Sequence, residues 1–350
     1  MPKVCILAPV PPPAGGIGAW TIRMMNASLK NGWKVVVVDE QVFGGRTNFG
    51  STSKAHLSTE IRRCFRIWKN LWKQLKDPEV RVVQSCVPVG MGSLARESVC
   101  RFLTHITGKK FIIHFRCTVP NMIHNNLHQR MLKGFVSKCD CVMLLNDQSH
   151  RYLRNLCPNQ DYRVIPNFVD QDEIVCRSKV KDTIETALYV GGVIEEKGCS
   201  LIIESAKLLP HVQFRLVGKV GMETNGISEN VVLCGELPKN RVREELENAD
   251  VFLFLTHFWG EGFSNALAEA MAASLPCIVT DWAANADMIE NKGGVIVNPT
   301  PEAVKNAFEM MANPQRRLEM GTWNSLKVRQ SYSEKIVTEQ YVDVYDSITK

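Results

Sequence analysis

DVFLFLTHFWGEGFSNALAEAMAASLPCIVTDW, residues 250–282, is the stretch that decides the fold. The unbroken apolar run at 251–255 reads as a strand covered on both faces, which is the habit of parallel sheets. A loop holding Gly260 and Gly262 follows, then a small-residue helix that starts near Ser264 and stops before Pro276, where a new strand begins. Ser264 is a natural N-cap. In such a strand–loop–helix–strand unit the loop lies at the carboxyl end of the strand, where open α/β sheets bind ligands. Glu261 falls in the loop and Glu269 on the helix, eight positions apart, with Ser264 and Asn265 at the helix start between them. First-turn N–H groups and the positive end of the helix dipole can stabilise a diphosphate that gains charge as it leaves. Two flanking carboxylates suit hydroxyl groups, Glu261 those of a sugar and Glu269 those of a ribose.

Outward from this segment the same alternation runs the length of the chain. Short β-branched runs at 4–8, 34–39, 80–85, 110–115, 141–145 and 163–165 are separated by helical patterns near 17–31, 58–76, 92–107 and 127–138. A second series has strands near 186–190, 213–217, 231–234, 251–255, 276–280 and 294–297, with helices near 198–209, 239–248, 264–274, 301–312 and 314–329. Two Rossmann-like, doubly wound parallel-sheet domains are therefore predicted, at 1–168 and 169–330. PNFVDQDEIVCRSKVKDT, residues 166–183, has no sustained period and reads as the linker. In residues 331–350 a stripe of Ile336, Val337, Tyr341, Val344, Tyr345 and Ile348 predicts a terminal helix that packs back across the domains. Function is expected in loops after strands, facing a crevice shared by the two sheets.

Composition narrows the class. The chain has 350 residues, 45% hydrophobic and 22% charged, ordinary for a globular protein. Its first apolar run, broken by the prolines at 9 and 11–13, is too short for a secretory leader, and no segment approaches the roughly twenty apolar residues of a spanning helix. A cytoplasmic location is expected. Twelve cysteines, among them Cys5, Cys86, Cys234 and Cys277, sit mostly inside apolar runs without a C-x-x-C pair, as reduced packed thiols would. The net charge of +6 is uneven: residues 1–170 carry 24 Lys/Arg against 10 Asp/Glu, and residues 171–350 carry 18 against 26. A basic first half suits a phosphorylated substrate or an anionic membrane, or simply a solvated surface.

After the first strand comes PVPPPAGGIGAWTIRMM, residues 9–25, with Gly15, Gly16 and Gly18 just before a helix. Glycine there allows close backbone approach, and the helix start offers N–H groups to a phosphate near Gly16. A nicotinamide fingerprint competes, because Asp39 ends the second strand. Against it, Thr21 stands where the third glycine belongs and a proline-rich loop replaces the tight turn. A merely flexible loop is the remaining reading.

Taken together, EGFSNALAE resembles the E-x7-E motif of family 4 retaining glycosyltransferases, which have the GT-B fold. GGIG, VIPNFVD, YVGGVIEEKG, EGFSNALAEAMAASLP and the segments 287–289 and 293–297 fall in that family's order, so the resemblance covers nearly the whole chain. It implies a soluble enzyme that takes a nucleoside diphosphate sugar as donor and transfers the sugar, with retention, to a glycan or lipid-linked hydroxyl acceptor. Backbone at Gly16 and at Gly262, Phe263, Ser264 and Asn265 would touch the donor diphosphate and Lys197 would neutralise it. Glu261 would bind the donor sugar near the reacting face, and Glu269 the ribose.

Two departures stand out. Gly192 takes the place of the family's arginine ahead of Lys197, so a bidentate cation is missing and Lys219 is a candidate helper. In KKFIIHFRCTVPN, residues 109–121, Arg116 falls where the family tends to have histidine, with His114 two residues earlier on the same side of the strand. Either could serve the reacting sugar. The only D-x-D spelling, Asp170 to Asp172, lies in the expected linker, and since a helix dipole and Lys197 can supply the needed charge, neither a metal nor another cofactor is predicted. Residues 58–76 place Ile61, Cys64, Phe65, Trp68, Leu71, Trp72 and Leu75 on one face, with Arg62, Arg63, Arg66, Lys69, Lys73 and Lys76 elsewhere. Such a helix can lie on an anionic membrane or simply cover a sheet. Nucleic acid is not expected, for want of a reading motif. A nicotinamide enzyme, a sugar nucleotide epimerase of GT-B architecture and a non-catalytic homologue that binds a partner are the rival functions.

Overall fold

A computed structural model describes residues 1–12, 15–41, 57–224 and 226–350. The chain divides into two compact units, Met1–Asn167 with Lys335–Lys350, and Phe168–Glu334.

Among the described residues unit 1 holds six strands: β1 (Lys3–Ala8), β2 (Lys34–Asp39), β3 (Val80–Val87), β4 (Lys110–Phe115), β5 (Cys141–Leu144) and β6 (Tyr162–Val164). All are parallel, in the order β2-β1-β3-β4-β5-β6. Connecting helices are α1 (Gly16–Asn26), α2 (Leu57–Leu75), α3 (Met91–Ile106), α4 (Asn126–Val136) and α5 (Asp147–Leu156). Alternate strand residues Cys5, Leu7, Val83, Phe111, Ile113 and Phe115 bury against Ile67 and Leu71 of α2, Leu94 of α3 and Leu132 of α4. The terminal helix Glu334–Thr349 also belongs to this unit: Tyr345 is fully buried and its hydroxyl donates to Gln84 Oε1 of β3 at 2.6 Å. Trp33 Nε1 donates to Asp346 at 2.8 Å.

Three elements depart from the pattern reading. The first helix stops at Asn26 because Lys30–Gly32 forms a separate short turn with Asn31 at φ 57°. Helix α5 had no counterpart among the predicted helices: DQSHRYLRNL is too polar for periodicity to reveal. It exists because Asn146 caps it, accepting from Ser149 N at 2.9 Å, while Leu153 docks on the core. Helix α2 does not bury the single stripe expected. Ile67, Leu71 and Leu75 face the sheet, whereas Ile61, Phe65 and Trp72 remain exposed.

Unit 2 contains β7 (Thr186–Val190), β8 (Gln213–Val217), β9 (Val231–Gly235), β10 (Val251–Phe254), β11 (Cys277–Thr280) and β12 (Gly294–Val297). They form a second parallel sheet in the order β12-β11-β10-β7-β8-β9. Its helices are α6 (Cys199–Lys207), α7 (Lys239–Asn248), α8 (Asn265–Ala272), α9 (Asn285–Ile289), α10 (Pro301–Met310) and α11 (Pro314–Lys327). Residues 166–183 are not a free tether. Val175 N donates to Ala272 O, Ser274 Oγ donates to Val175 O, and the Arg177 guanidinium donates to the carbonyls of Leu246, Glu247 and Ala249. The segment has no period because side chains and loop carbonyls, rather than a ladder, satisfy its backbone. All twelve cysteines are unpaired and nine are buried, with burial raising thiols such as Cys5 and Cys86 to about 12.

At the carboxyl edge of unit 1 a polar cluster is sealed inside. Arg96 donates to Glu97 at 2.6 Å and to Glu40 at 3.1 Å, and Ser85 Oγ donates to the other oxygen of Glu97 at 2.8 Å. Two carboxylates share one guanidinium, so burial, followed by the opposing pull of Arg96 and the push of Glu97, leaves Glu40 raised to about 8. The folded state then holds a proton that the unfolded chain releases near 4.5, and stability falls as pH rises from there to about 8. Glu40→Gln keeps a neutral group at this position. Urea denaturation should show the wild type losing stability relative to Glu40→Gln over that interval, at no more than about 1.4 kcal/mol per pH unit; parallel curves would contradict the shared proton.

Candidate functional site

In unit 2 the strand order turns back at β7: the chain runs outward through β8 and β9, then returns to place β10 on the opposite side of β7. The loops leaving β7 and β10 therefore sit side by side with diverging connections, the arrangement that opens a binding crevice in doubly wound sheets. Lys197 comes from the first loop and Glu261 from the second.

The β7 loop is shaped by glycines with no alternative. Gly218, at φ 145°, lets the β8 exit touch the β7 exit, since a Cβ there would lie 1.9 Å from Gly191 O. Val193 N donates to Lys219 O and Gly221 N to Val193 O, both at 2.9 Å. Gly198, at φ 78°, begins α6, and a Cβ on it would lie 2.1 Å from Leu255 O. That contact carries the turn Glu195–Lys197 onto the end of β10, where His257 N donates to Glu196 O at 2.9 Å. Lys197 Nζ ends 2.5 Å from Glu261 Oε2, with the Phe258 ring 5.0 Å and the Phe254 ring 5.7 Å from the ammonium. Both side chains keep some exposure, 21% for Lys197 and 11% for Glu261, so the pair is partly dry yet reachable. A cation held against a carboxylate and two aromatic faces is fixed in place, and an ammonium has three N–H groups of which Glu261 Oε2 takes one.

Helix α8 starts beside this pair. Ser264 is 3% exposed and its Oγ accepts from Leu267 N at 3.2 Å, while Ala268 N donates to Ser264 O. Gly262 and Phe263 are buried and Asn265 is half-buried; the Phe263 ring packs edge-on to Tyr332 at 5.1 Å. Glu269, half-buried one turn on, lines a cavity of about 40 Å³ with Glu173, Lys239, Val242 and Leu246. Lys219 is exposed at the end of β8. A far larger groove of about 930 Å³ lies at the opposite strand ends, against Thr186, Gln213 and Asp250. Most of its charges are paired, as where Arg215 grips Glu245 through two 2.6 Å bonds and Lys181 meets Glu185, so volume alone does not mark the chemistry.

In unit 1, α1 begins at Gly16 after the glycine-rich loop, of which Pro13 and Ala14 lie outside the described residues. Asp39, the residue a nicotinamide ribose would need, accepts from Val10 N at 3.1 Å and Gln41 N at 2.8 Å and so pins that loop. His114 is fully buried among Trp20, Tyr341 and Gln84, whose amide lies 3.2 Å from Nδ1. Burial, reinforced by Arg116, holds its pKa well below the ordinary value, so the ring is neutral. Arg116 is 6% exposed; its guanidinium lies 4.2 Å over the Trp20 ring, donates to Asn167 Oδ1 at 2.5 Å and approaches His114 Nε2 at 3.3 Å. Among the described residues no carboxylate forms an ion pair with it, and Nε has no hydrogen-bond partner. Sequence reasoning missed Trp20 as the platform under this cation, although its place in the first helix turn after Gly18 hints at it. Asp170 and Asp172 pair with Lys239 and Arg243. Among the described residues no three His, Cys, Asp or Glu side chains are grouped to hold a metal ion.

Residues 185–313, from β7 through α10, match the family described as Glycosyl transferases group 1. Over full length the chain superposes on sucrose-phosphate synthase from Thermosynechococcus elongatus with a TM-score of 0.76 at 14% identity, covering 99% of each. Anabaena Alr3699/HepE in complex with UDP gives 0.75 at 12% identity, covering 99% of this chain and 100% of that one. The fold is GT-B. At these identities the GT-B likeness concerns architecture alone. In sequence, the capsular polysaccharide biosynthesis glycosyltransferase CapM of Staphylococcus aureus is 28% identical over 182 residues, 46% of each chain. The amylovoran biosynthesis glycosyltransferase AmsK of Erwinia amylovora is 24% identical over 209 residues, 54% of this chain and 50% of that one. The chain thus spans about half the length of the curated relatives it matches, and Lys197 and Glu261 lie within residues 185–313, the stretch matched by the family model.

The β7 loop depends on Gly198 more than on any other single residue. Gly198→Ala combines a left-handed backbone with a clash against a strand carbonyl, and should cost at least about 2 kcal/mol in denaturant unfolding. A loss below about 0.5 kcal/mol, the size of an ordinary surface change, would show that the two loops are not packed as described.

Proposed function

We propose that this GT-B protein transfers a glycosyl group from a nucleoside diphosphate sugar to a hydroxyl of a glycan or lipid-linked glycan, with retention at the anomeric carbon. The observation that carries the reading is the Lys197/Glu261 pair at the β7/β10 reversal, set beside the Ser264-capped helix. Relatives named for capsule and amylovoran biosynthesis support it. In this scheme the anomeric C–O bond to the diphosphate breaks, and the negative charge developing on the leaving oxygen is met by Lys197 and the α8 amides from Gly262 to Asn265. The acceptor oxygen attacks the same face, and its proton passes to the departing phosphate oxygen, so no covalent enzyme intermediate forms. Glu261 holds sugar hydroxyls, Glu269 the ribose, and Lys219 adds positive charge in place of the arginine absent at Gly192. Gly16 and Arg116 take the diphosphate and reacting-sugar roles that the resemblance gives them; His114, buried and neutral, acts by orienting Arg116. Because lysine and helix supply the countercharge, the reaction needs no metal, and activity in excess EDTA should equal that without it.

The direct test is incubation with a panel of nucleotide sugars and hydroxyl acceptors, reading released diphosphate and the anomeric configuration of the product by NMR. Transfer with retention is expected; interconversion of the sugar nucleotide without acceptor would make the protein an epimerase instead. Lys197→Ala should lower kcat by about 10²- to 10³-fold, and Glu269→Ala should weaken nucleoside diphosphate binding by about tenfold. Unchanged values would remove those residues from the site, and nucleotide binding without turnover would favour a non-catalytic homologue.

A cytoplasmic location with peripheral contact to the membrane's inner face is part of the proposal. Among the described residues no helix is long and apolar enough to cross a membrane. Helix α2 instead exposes Ile61, Phe65 and Trp72 next to Arg62, Lys69, Lys73 and Lys76, a composition suited to an anionic bilayer surface. Arg63 and Arg66 are turned inward, donating to the carbonyls of Glu40 and Gln41, and are poor probes of this contact. Flotation with phosphatidylglycerol vesicles should carry the wild type upward and leave behind a Phe65→Ser, Lys69→Glu, Lys73→Glu variant. Equal flotation, or none by either, would reject the contact.

A further inference from the structure

We infer that Trp259 is a sugar-stacking platform, and that its indole packs against the apolar face of the sugar ring held at Glu261; this rests on the transferase reading above. The observation is an exposed aromatic on a rigid support. Trp259 is 46% exposed, yet hydrogen bonds fix the loop on both sides of it. Phe258 N donates to Thr256 Oγ1 at 3.1 Å, Trp282 Nε1 donates to Phe258 O at 2.7 Å, and Glu261 N donates to the same carbonyl at 3.0 Å. At Gly260 a Cβ would lie 2.7 Å from the Phe258 ring, so the chain is folded tightly over that ring. Phe258 lies between the two groups that matter: its centroid is 5.3 Å from that of Trp259 and 5.0 Å from Lys197 Nζ. The turn after β10 therefore sets a half-bare indole and a carboxylate beside the cation that Lys197 brings from the β7 loop.

That combination matches a glycosyl diphosphate: the cation suits phosphate, the carboxylate suits ring hydroxyls, and the indole suits the C–H face of a pyranose. Other ligands fit it less well. No lysine or arginine occurs between Arg243 and Lys292, so this stretch offers an anionic lipid surface or a nucleic acid no row of cations, in contrast to α2. A nucleobase would need the ring near Glu269, but Trp259 precedes Glu261 by two residues and Glu269 by ten.

Isothermal titration of the full chain with UDP, UDP-glucose, UDP-N-acetylglucosamine, GDP and GDP-mannose tests this, comparing wild type, Trp259→Ala and Trp259→Phe. Trp259→Ala should weaken the nucleotide sugar that the wild type binds by about 5- to 10-fold while leaving its parent diphosphate within about twofold, and Trp259→Phe should recover part of the loss. Equal losses for diphosphate and nucleotide sugar would assign the ring to the base or to loop structure, and no loss for either would leave it outside the site. Each of those outcomes overturns the stacking while the transferase reading stands. Wild-type protein that binds none of the five ligands overturns the transferase reading and the platform with it.

Discussion

The reversal of strand order between β7 and β10 is the constraint on which the candidate site depends. Parallel neighbours leave both loops at the same edge, and because one connection runs outward and the other returns, no helix crosses the gap between them. The 2.5 Å contact of Lys197 with Glu261 is the chemical expression of that topology. Neither residue is far from its own strand, so little backbone freedom separates the sheet from the pair. Gly198 and Gly218 are the residues that make the approach sterically possible, one against a β10 carbonyl and the other against the β7 exit.

Unit 1 solves a different problem, the burial of charge. Arg96 is compensated by two carboxylates that together carry one charge too many, and the excess is relieved by retaining a proton on Glu40. Among the described residues no acid pairs with Arg116; a tryptophan face, an asparagine oxygen and a neutral imidazole take the carboxylate's place. Burying an ion with such soft compensation is costly.

Helix α2 links fold and surface in one element. Its inner positions, Ile67, Leu71 and Leu75, are spaced to cover the sheet. Three further apolar residues then remain on the water side, next to lysines that the sheet does not use. Periodicity cannot separate these two roles, since a helix carrying eight apolar residues over 61–75 shows one broad stripe whichever part of it is buried.

Much was legible in the sequence. Alternation of apolar runs with amphipathic stretches located the twelve strands found among the described residues, because strands covered on both faces must be apolar throughout. EGFSNALAE announced a helix start at a strand's carboxyl end, and the resemblance it carried pointed to the GT-B architecture that the structural likenesses bear out. Polar elements were not legible: α5 depends on the Asn146 cap, and 166–183 on hydrogen bonds to distant carbonyls. Composition could place the residues His114 and Arg116 on one strand face, but not decide which would be sealed among aromatics from a helix more than 200 residues away. The sequence by itself determined the order of elements and the chemical types at loop ends, since these follow from local pattern and backbone sterics. Only tertiary structure decided which of those groups meet, because the pairing of Lys197 with Glu261 is a property of strand order, which no local spacing encodes.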